Sequence, residues 1–328
     1  MTNLNVKYLG LDLKNPIIAG SCGLTNSIEN LKAIEQAGAG AVVLKSIFEE
    51  EIYLEFAHEF SKLGPMDNNL EFLDYYDYQI KKDNLKRYLE LIKQAKKELS
   101  IPVIASINCL TAHEWGFFAK KAEDAGADAI ELNMFILPTN LSQTSQDNES
   151  MYFDIVSRIT SKVKIPVSLK ISSYFSNLGG VIRDLSFSEI KGLVLFNKFY
   201  CPDVDIDHQK IIGSDILSQS KDYKLSLRWI GMMANRVNSD LSASTGILDW
   251  QTIVKMLLVG ATTVQVVSAL YKEGFPIITN MILNLEKWMK DNNYTSIADF
   301  KGKLSMDNST NLAEFERVQF MRNFGEYK

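Results

Sequence analysis

The chain has 328 residues, a formal net charge of -5 and 46% hydrophobic residues. That length is generous for one ordinary domain but suits a single α/β barrel with a large core. Basic residues are scattered among acidic ones, as in "KKDNLKRYLELIKQAKKELS" (81–100), a pattern that predicts a solvated amphipathic helix and argues against a nucleic-acid partner.

Residues 1–16 hold no continuous apolar core behind positive charge, and the apolar stretch at 256–271 is interrupted by Thr262, Thr263 and Gln265. Neither a signal peptide nor a membrane span is expected. Cys22, Cys109 and Cys201 lie far apart with no C-x-x-C, and His58, His113 and His208 are equally dispersed. Reduced thiols in a cytoplasm fit this better than disulfides or zinc, and no iron–sulfur cluster is expected within the chain.

Taken in chain order, strand signals fall at "PIIAGS" (16–21), "AVVLKS" (41–46), "PVIASIN" (102–108), "AIELNM" (129–134), "PVSLKI" (166–171), "LVLFNK" (193–198), "DLSAST" (240–245) and "TVQVVS" (263–268). Three of them follow a repeated theme in which small residues close a helix and feed a strand: "AGAGAVVLKS", "AGADAIELN" and "VGATTVQVVS". Strands alternating with helix-sized intervals predict a parallel sheet, and eight such units predict a (β/α)8 TIM barrel. The longer gaps, 47–101 and 199–239, are expected to hold loop insertions. The predicted organisation is one barrel domain over 1–304 and a short helical tail over 305–328.

Strand alternation then assigns side chains to faces. In "PVSLKIS" the residues Val167, Leu169 and Ile171 should pack on the helices, while Ser168, Lys170 and Ser172 point into the barrel. The same logic turns Lys45, Ser106, Asn108, Glu131 and Asn133 inward, at or near the strand C-terminal ends where such barrels place their sites. A strand-end lysine can simply snorkel to water. Two inward lysines, joined by Asn108, Asn133 and Asn197, point instead to an anionic or electron-rich ligand. Asn133 can satisfy strand-end backbone or hydrogen-bond a planar heterocycle. Glu131 is expected to pair structurally with an interior cation. "SASTGILDW" and "VVSALYKEG" follow the last two strands and occupy the usual phosphate corner, with Ser244, Thr245, Gly246 and Ser268 as donors. The bland alternative is that the Ser-Thr-Gly turn only caps the helix near Asp249.

The stretches "NPIIAGSCG", "VVLKS", "ASIN", "ELN", "VSLKI" and "VGATTVQVVSALYKEGFPII…YTSIADFKGKL" make residues 4 to about 304 resemble the dihydroorotate dehydrogenase family, specifically its soluble FMN-dependent class 1 members. The resemblance implies that Lys170 hydrogen-bonds the flavin pyrimidine edge and stabilises negative charge on the ring. Lys45 and Ser46 look like the pair beneath the flavin, and Ser21 like the residue near the ring. Asn108, Asn133 and Asn197 are similar to the amides lining flavin and substrate, and Thr245, Gly246 and Ser268 to the phosphate site. Lys45, Asn133 and Asn197 would also touch a small planar metabolite, and the family favours a homodimer. The pattern breaks in four places. Ile136 occupies the position of the family's catalytic Cys or Ser, and isoleucine cannot accept a proton. The family's substrate segment is not recognisable near "LGPMDNNLEF", where Asn68 and Asn69 are the available amides. Thr245-Gly246 replaces a Gly-Gly turn, and Val267 replaces a glycine beside the phosphate site. Two functions are therefore expected: an FMN oxidoreductase of this type whose substrate need not be dihydroorotate, or a non-catalytic barrel that keeps its flavin or metabolite pocket.

Overall fold

The computed structural model describes residues 2–48, 70–108, 114–199, 201–308 and 315, with the side chains of 70–82 and 114 left out. Cys109, His58, His113, Asn68 and Asn69 lie outside the described residues.

The chain opens with an antiparallel hairpin, β1 (Val6–Tyr8) and β2 (Leu11–Leu13). Its two-residue turn places Leu9 and Gly10 at φ of 54° and 79°, the left-handed geometry that matches strand twist. There follow β3 (Ile17–Ala19), α1 (Ile28–Gln36), β4 (Ala41–Val43), the two-residue β5 (Ile47–Phe48), α2 (Leu70–Glu98), β6 (Val103–Asn108), α3 (Glu114–Asp124) and β7 (Ala129–Asn133). The second half continues with α4 (Ser145–Thr160), β8 (Val167–Ile171), α5 (Leu178–Ser186), β9 (Gly192–Leu195), a hairpin of β10 (Cys201–Asp205) and β11 (Lys210–Ser214), and α6 (Tyr223–Met233). It ends with β12 (Asp240–Ala243), α7 (Trp250–Val259), β13 (Thr263–Val266), α8 (Ser268–Glu273) and α9 (Pro276–Asp291).

Parallel pairing runs β3-β4-β6-β7-β8-β9-β12-β13 and returns to β3, which closes an eight-stranded barrel. This is the (β/α)8 TIM barrel expected from the strand ladder, and each of the eight predicted stretches supplies one strand. The gap at 199–239 holds the β10–β11 hairpin and α6, and the helix expected over 81–100 forms the later part of α2. The two hairpins and β5 carry no signal long enough to announce them. Of the expected tail, Ser305 accepts from Asn235 Nδ2 at 3.1 Å, Asp307 pairs with Arg236 at 2.9 Å, and Phe315 packs against α6 at Gly231.

Alternation divides the strands as period two requires. Val167, Leu169 and Ile171 join the large core between barrel and helices, and so do Val103, Ala105, Ile107, Ile130 and Leu132. Ile18, Ala41, Val43, Ile104 and Ala129 turn inward at the strand starts, where Tyr8, Leu9 and Leu13 of the first hairpin pack against them. That hairpin plugs the lower end of the barrel, each buried side chain contributing about 1.5–3 kcal/mol. Gly192 permits the approach, because a Cβ there would lie 2.5 Å from Leu9 Cδ2. Asp240 Oδ2 fixes the tip by accepting from Leu9 N at 2.8 Å.

Strand entries are clamped by helix-end carboxylates. Glu35 Oε1 accepts from Ser100 N and Ile101 N at 2.7 and 3.1 Å, just before Pro102. Glu123 Oε1 repeats this with Lys164 N and Ile165 N at 2.6 and 3.1 Å, just before Pro166. These prolines have no N–H to give the ladder, so each sits immediately before its strand's first residue and the carboxylate serves the donors ahead of it. With the lower end plugged and the strand starts fixed, the open end is the C-terminal one.

Candidate active site

A cavity of about 730 Å³ opens among the C-terminal ends of the barrel strands. Ser21, Lys45 and Ser46 reach it from the ends of β3 and β4, and Asn133, Lys170 and Asn197 from β7, β8 and the segment after β9. Ser244, Thr245, Gly246 and Ser268 close its far side. Asn108, by contrast, is buried at 7% exposure in register with Phe48 of β5 and does not line the cavity. The two-residue β5 folds beside the end of β6, and Phe48 takes the place at the wall that was expected for the amide.

A polar, buried network crosses the barrel interior from β7 and β8 to β13. Lys170, only 9% exposed, donates from Nζ to Gln265 Oε1 at 3.0 Å. Gln265 Nε2 in turn donates to Glu131 Oε2. Glu131 is 1% exposed, and its Oε1 has no partner among the described residues. Burial pushes the Lys170 ammonium below its ordinary value while Glu131 pulls the other way, and burial pushes the Glu131 carboxyl up against the pull of Lys170. The structural pairing expected for Glu131 is thus made to Lys170 through an intervening carboxamide. Asn133 Oδ1 is also buried without a partner among the described residues, so one strand-end acceptor stands ready for a donor.

The floor is a chain of hydroxyls. Ser21 Oγ lies 3.1 Å from Ser46 Oγ and accepts from Ser46 N at 2.9 Å, and Ser46 Oγ lies 2.6 Å from Ser106 Oγ. Tyr88 of α2 braces this chain, accepting from Ser106 N at 2.8 Å and donating to Ser106 O at 2.9 Å. Cys22 lines the cavity next to Ser21, and burial pushes its thiol up, which keeps it protonated at neutral pH.

At the far side Thr245 and Gly246 have φ of 74° and 76°. Gly246 is required here because a Cβ would collide with the backbone of Tyr223 at the start of α6. Thr245 tolerates the left-handed region while its Oγ1 donates to Phe196 O at 3.0 Å. The turn does not cap the next helix: Asp249 does so, accepting from Thr252 N at 2.7 Å. Ser268 Oγ accepts from Ser218 N at 2.8 Å, and Lys198 Nζ pairs with Asp222 at 2.8 Å beside it. Val267 turns toward β3, where a Cβ at Gly20 would meet Val267 Cγ2 at 2.8 Å. The bulk of Val267 is matched by the absence of a side chain at Gly20.

The remaining wall is aromatic. Met134 N continues the β8 ladder to Lys170 O at 3.0 Å, and Asn197 Nδ2 donates to Met134 O at 2.8 Å. The chain then leaves the barrel. Phe135, 42% exposed, lines the cavity and stacks on Phe199 with centroids 3.9 Å apart, and Tyr174 meets Phe199 edge-on at 4.6 Å. Ile136 packs against the outer core instead and does not line the cavity, so Phe135 takes the wall beside Asn133. Thr139, Asn140 and Ser142 are exposed beyond it, with Ser142 Oγ turned onto Asn140 Oδ1 at 2.7 Å.

Gln265, Ser218, Lys198, Cys22 and Phe48 are cavity residues that the sequence reasoning missed. Gln265 had a signal: alternation in "TVQVVS" turns it inward by the argument that placed Lys170. Ser218 had none, since it comes from an insertion.

A profile of the family described as dihydroorotate dehydrogenase matches residues 71–289. The chain is 25% identical over 316 residues to the dihydroorotate dehydrogenase B (NAD(+)) catalytic subunit of Thermoplasma volcanium, covering 92% of this chain and 98% of that protein. It is 25% identical over 315 residues to the protein of the same description from Pyrococcus abyssi, covering 91% and 98%. Against the NAD-dependent dihydropyrimidine dehydrogenase subunit PreA of Escherichia coli (strain K12) it is 24% identical over 320 residues, covering 92% and 76%. With a matched profile over most of its length and a barrel that gathers the strand-end lysines and amides into one cavity, the chain belongs to the dihydroorotate dehydrogenase family.

Proposed function

We propose that the protein is an FMN-dependent oxidoreductase of the dihydroorotate dehydrogenase type, acting on a small planar metabolite other than dihydroorotate. The observation that carries this is Asn133 Oδ1, buried with no partner among the described residues, on the same wall as Lys170 Nζ. An acceptor without a donor beside a fixed cation fits a ring edge that offers an N–H next to electron-rich atoms. Lys170 and Asn133 would hold that edge, Lys45, Ser21 and Ser46 the ring, and Thr245, Gly246, Ser268 and Lys198 the phosphate. When bound, FMN would supply the hydride acceptor.

The substrate assignment rests on Phe135. A hydrocarbon ring on the wall beside Asn133 cannot take a proton from carbon, so the substrate must carry an acidic or water-exchangeable proton. Asn197 and Lys45 would orient it, and the Phe135–Phe199 stack would cover its apolar face. The same ring favours a second reading, a barrel that binds flavin or metabolite without turnover. A homodimer is part of the proposal, tested by sedimentation of the purified chain.

The visible spectrum of the purified protein and a titration of the flavin-free form with FMN test the first part, and a protein that refuses added FMN contradicts it. Anaerobic mixing of the oxidised protein with dihydroorotate, and of the photoreduced protein with orotate, fumarate and quinones, separates the two readings. Rapid flavin reduction by the first, or rapid reoxidation by any of the others, rules out the non-catalytic barrel.

A further inference from the structure

The side chain of Gln265 spans the inside of the barrel. Its strand, β13, stands four places around the closed sheet from β7, which carries Glu131, and is therefore opposite to it. A carboxamide has one accepting and one donating end, and here the orientation is fixed: oxygen toward Lys170 Nζ, nitrogen toward Glu131 Oε2. The carboxylate keeps a second oxygen with no donor among the described residues, so its charge is not spent on other hydrogen bonds. Both ionisable groups are almost wholly removed from water, and a charge so buried is unfavourable unless the other compensates it.

We infer that Gln265 and Glu131 form a clamp that holds Lys170 as a cation at one fixed point of the cavity wall. They are positioning residues: neither need touch a ligand, and both act through the lysine. If FMN binds as proposed above, the clamp fixes the positive charge that faces the ring and so helps set its reduction potential. The clamp itself is a property of the empty protein and stands apart from that reading.

Among the described residues, the charged and titratable surroundings are few. Cys22, after β3, faces Lys170 as a thiol held protonated by burial, and Lys45, after β4, shares the cavity as a second cation. Tyr8 and Tyr88 face Glu131 with hydroxyls that burial keeps neutral. Asp240 lies at the lower end, bonded to Leu9 N and Thr262 Oγ1. Among the described residues, Glu131 is left as the anion whose charge reaches Lys170.

The test uses the full-length, FMN-free protein and acetic anhydride, which reacts with the neutral amine only. The pH profile of acetylation at Lys170, followed by peptide mass analysis, reports its protonation directly. In Glu131→Gln and in Gln265→Met the midpoint is expected to fall by about one pH unit, giving roughly tenfold faster labelling below the wild-type midpoint. Lys45 labelling serves as the internal reference and should move by less. A midpoint at Lys170 unchanged in either folded variant overturns the clamp, whether or not FMN binds. Gln265→Met keeps the test decisive should Glu131→Gln fail to fold. In FMN-loaded protein, Glu131→Gln should also move the potential above wild type at low pH, where the lost charge is negative. Above the lowered midpoint, where Lys170 is neutral, it should fall below wild type. That crossing must vanish when Lys170→Met is added, and its persistence contradicts the inference. Failure of FMN to bind with a shifted labelling midpoint refutes the proposed function and leaves the clamp standing.

Discussion

The two walls that meet at Asn133 are built differently. One is made of strand residues, Glu131, Lys170 and Gln265, whose directions are dictated by the pleat and whose polar atoms are locked to one another. The other begins one residue past the strand, at Met134, and presents Phe135 to the cavity, backed by Phe199, which Tyr174 meets in turn. Changing the first wall strands a buried charge. Changing the second alters a loop whose backbone is held by Met134 N and Asn197 Nδ2 and whose side chains answer to few neighbours. Under the proposed function, the strand wall that would hold the ring can persist while the loop wall beside it diverges.

Substitutions on each wall sharpen the contrast. Lys170→Met should have the largest effect, lowering FMN affinity about tenfold to a hundredfold as a charge-assisted hydrogen bond is lost, read by equilibrium fluorescence titration. Phe135→Ala should change that affinity by less than about threefold, within the range of a partly exposed contact. If the aromatic variant proves the worse binder, the division of labour is wrong.

Next in size is a pair of cysteine insertions. Phe135→Cys places a thiol on the cavity wall, where it should be alkylated quickly and should raise the rate of flavin reduction by dihydroorotate about tenfold or more, as an added general base can. Ile136→Cys places it against the outer core and should do neither. A gain confined to Ile136→Cys would show that the base position follows sequence alignment and not the geometry seen here.

Thr245 separates strain from hydrogen bonding at the far side. Thr245→Gly removes a β-branched residue from the left-handed region, a relief of about 1–2 kcal/mol, against one lost hydrogen bond of about 1 kcal/mol. Thr245→Val keeps the strain and loses the bond, so thermal unfolding should rank Val below Gly. The smallest effect is expected far from both walls, at Asp299. There, backbone and side-chain donors of Ser296 and Thr295 hold the carboxyl at about 2, below its ordinary value of 3.8. A depressed carboxylate contributes stability above its ordinary value and loses it as pH falls through the folded value. Asp299→Asn should therefore melt earlier than wild type at pH 7, with the gap closing as pH approaches 2.

What could be read in the sequence follows the same division. The eight barrel strands and the inward turn of Lys45, Asn133 and Lys170 were legible because period two is rigid, whereas Ser21 and Ser46, which also line the cavity, were named only through the family resemblance. Gln265 obeys the same rule and was hidden only by being counted as a break in an apolar run. Asn108 also points inward, but β5 is two residues long, and no pattern that short says that Phe48 will stand beside it. Ile136 and Phe135 lie past the strand, where alternation no longer applies and packing decides which side chain turns in. The β10–β11 hairpin, and with it the path to Ser218, had no buried face to announce it: its residues are exposed along nearly the whole length.

The central claim is that one buried wall, Lys170 with Asn133, grips a flavin. Titrating the flavin-free chain with FMN while following fluorescence quenching tests it most directly. The account predicts saturation at one FMN per chain in wild type and markedly weaker binding in Lys170→Met. Wild-type protein that leaves FMN fluorescence unchanged at excess, or binds it equally well without Lys170, contradicts it.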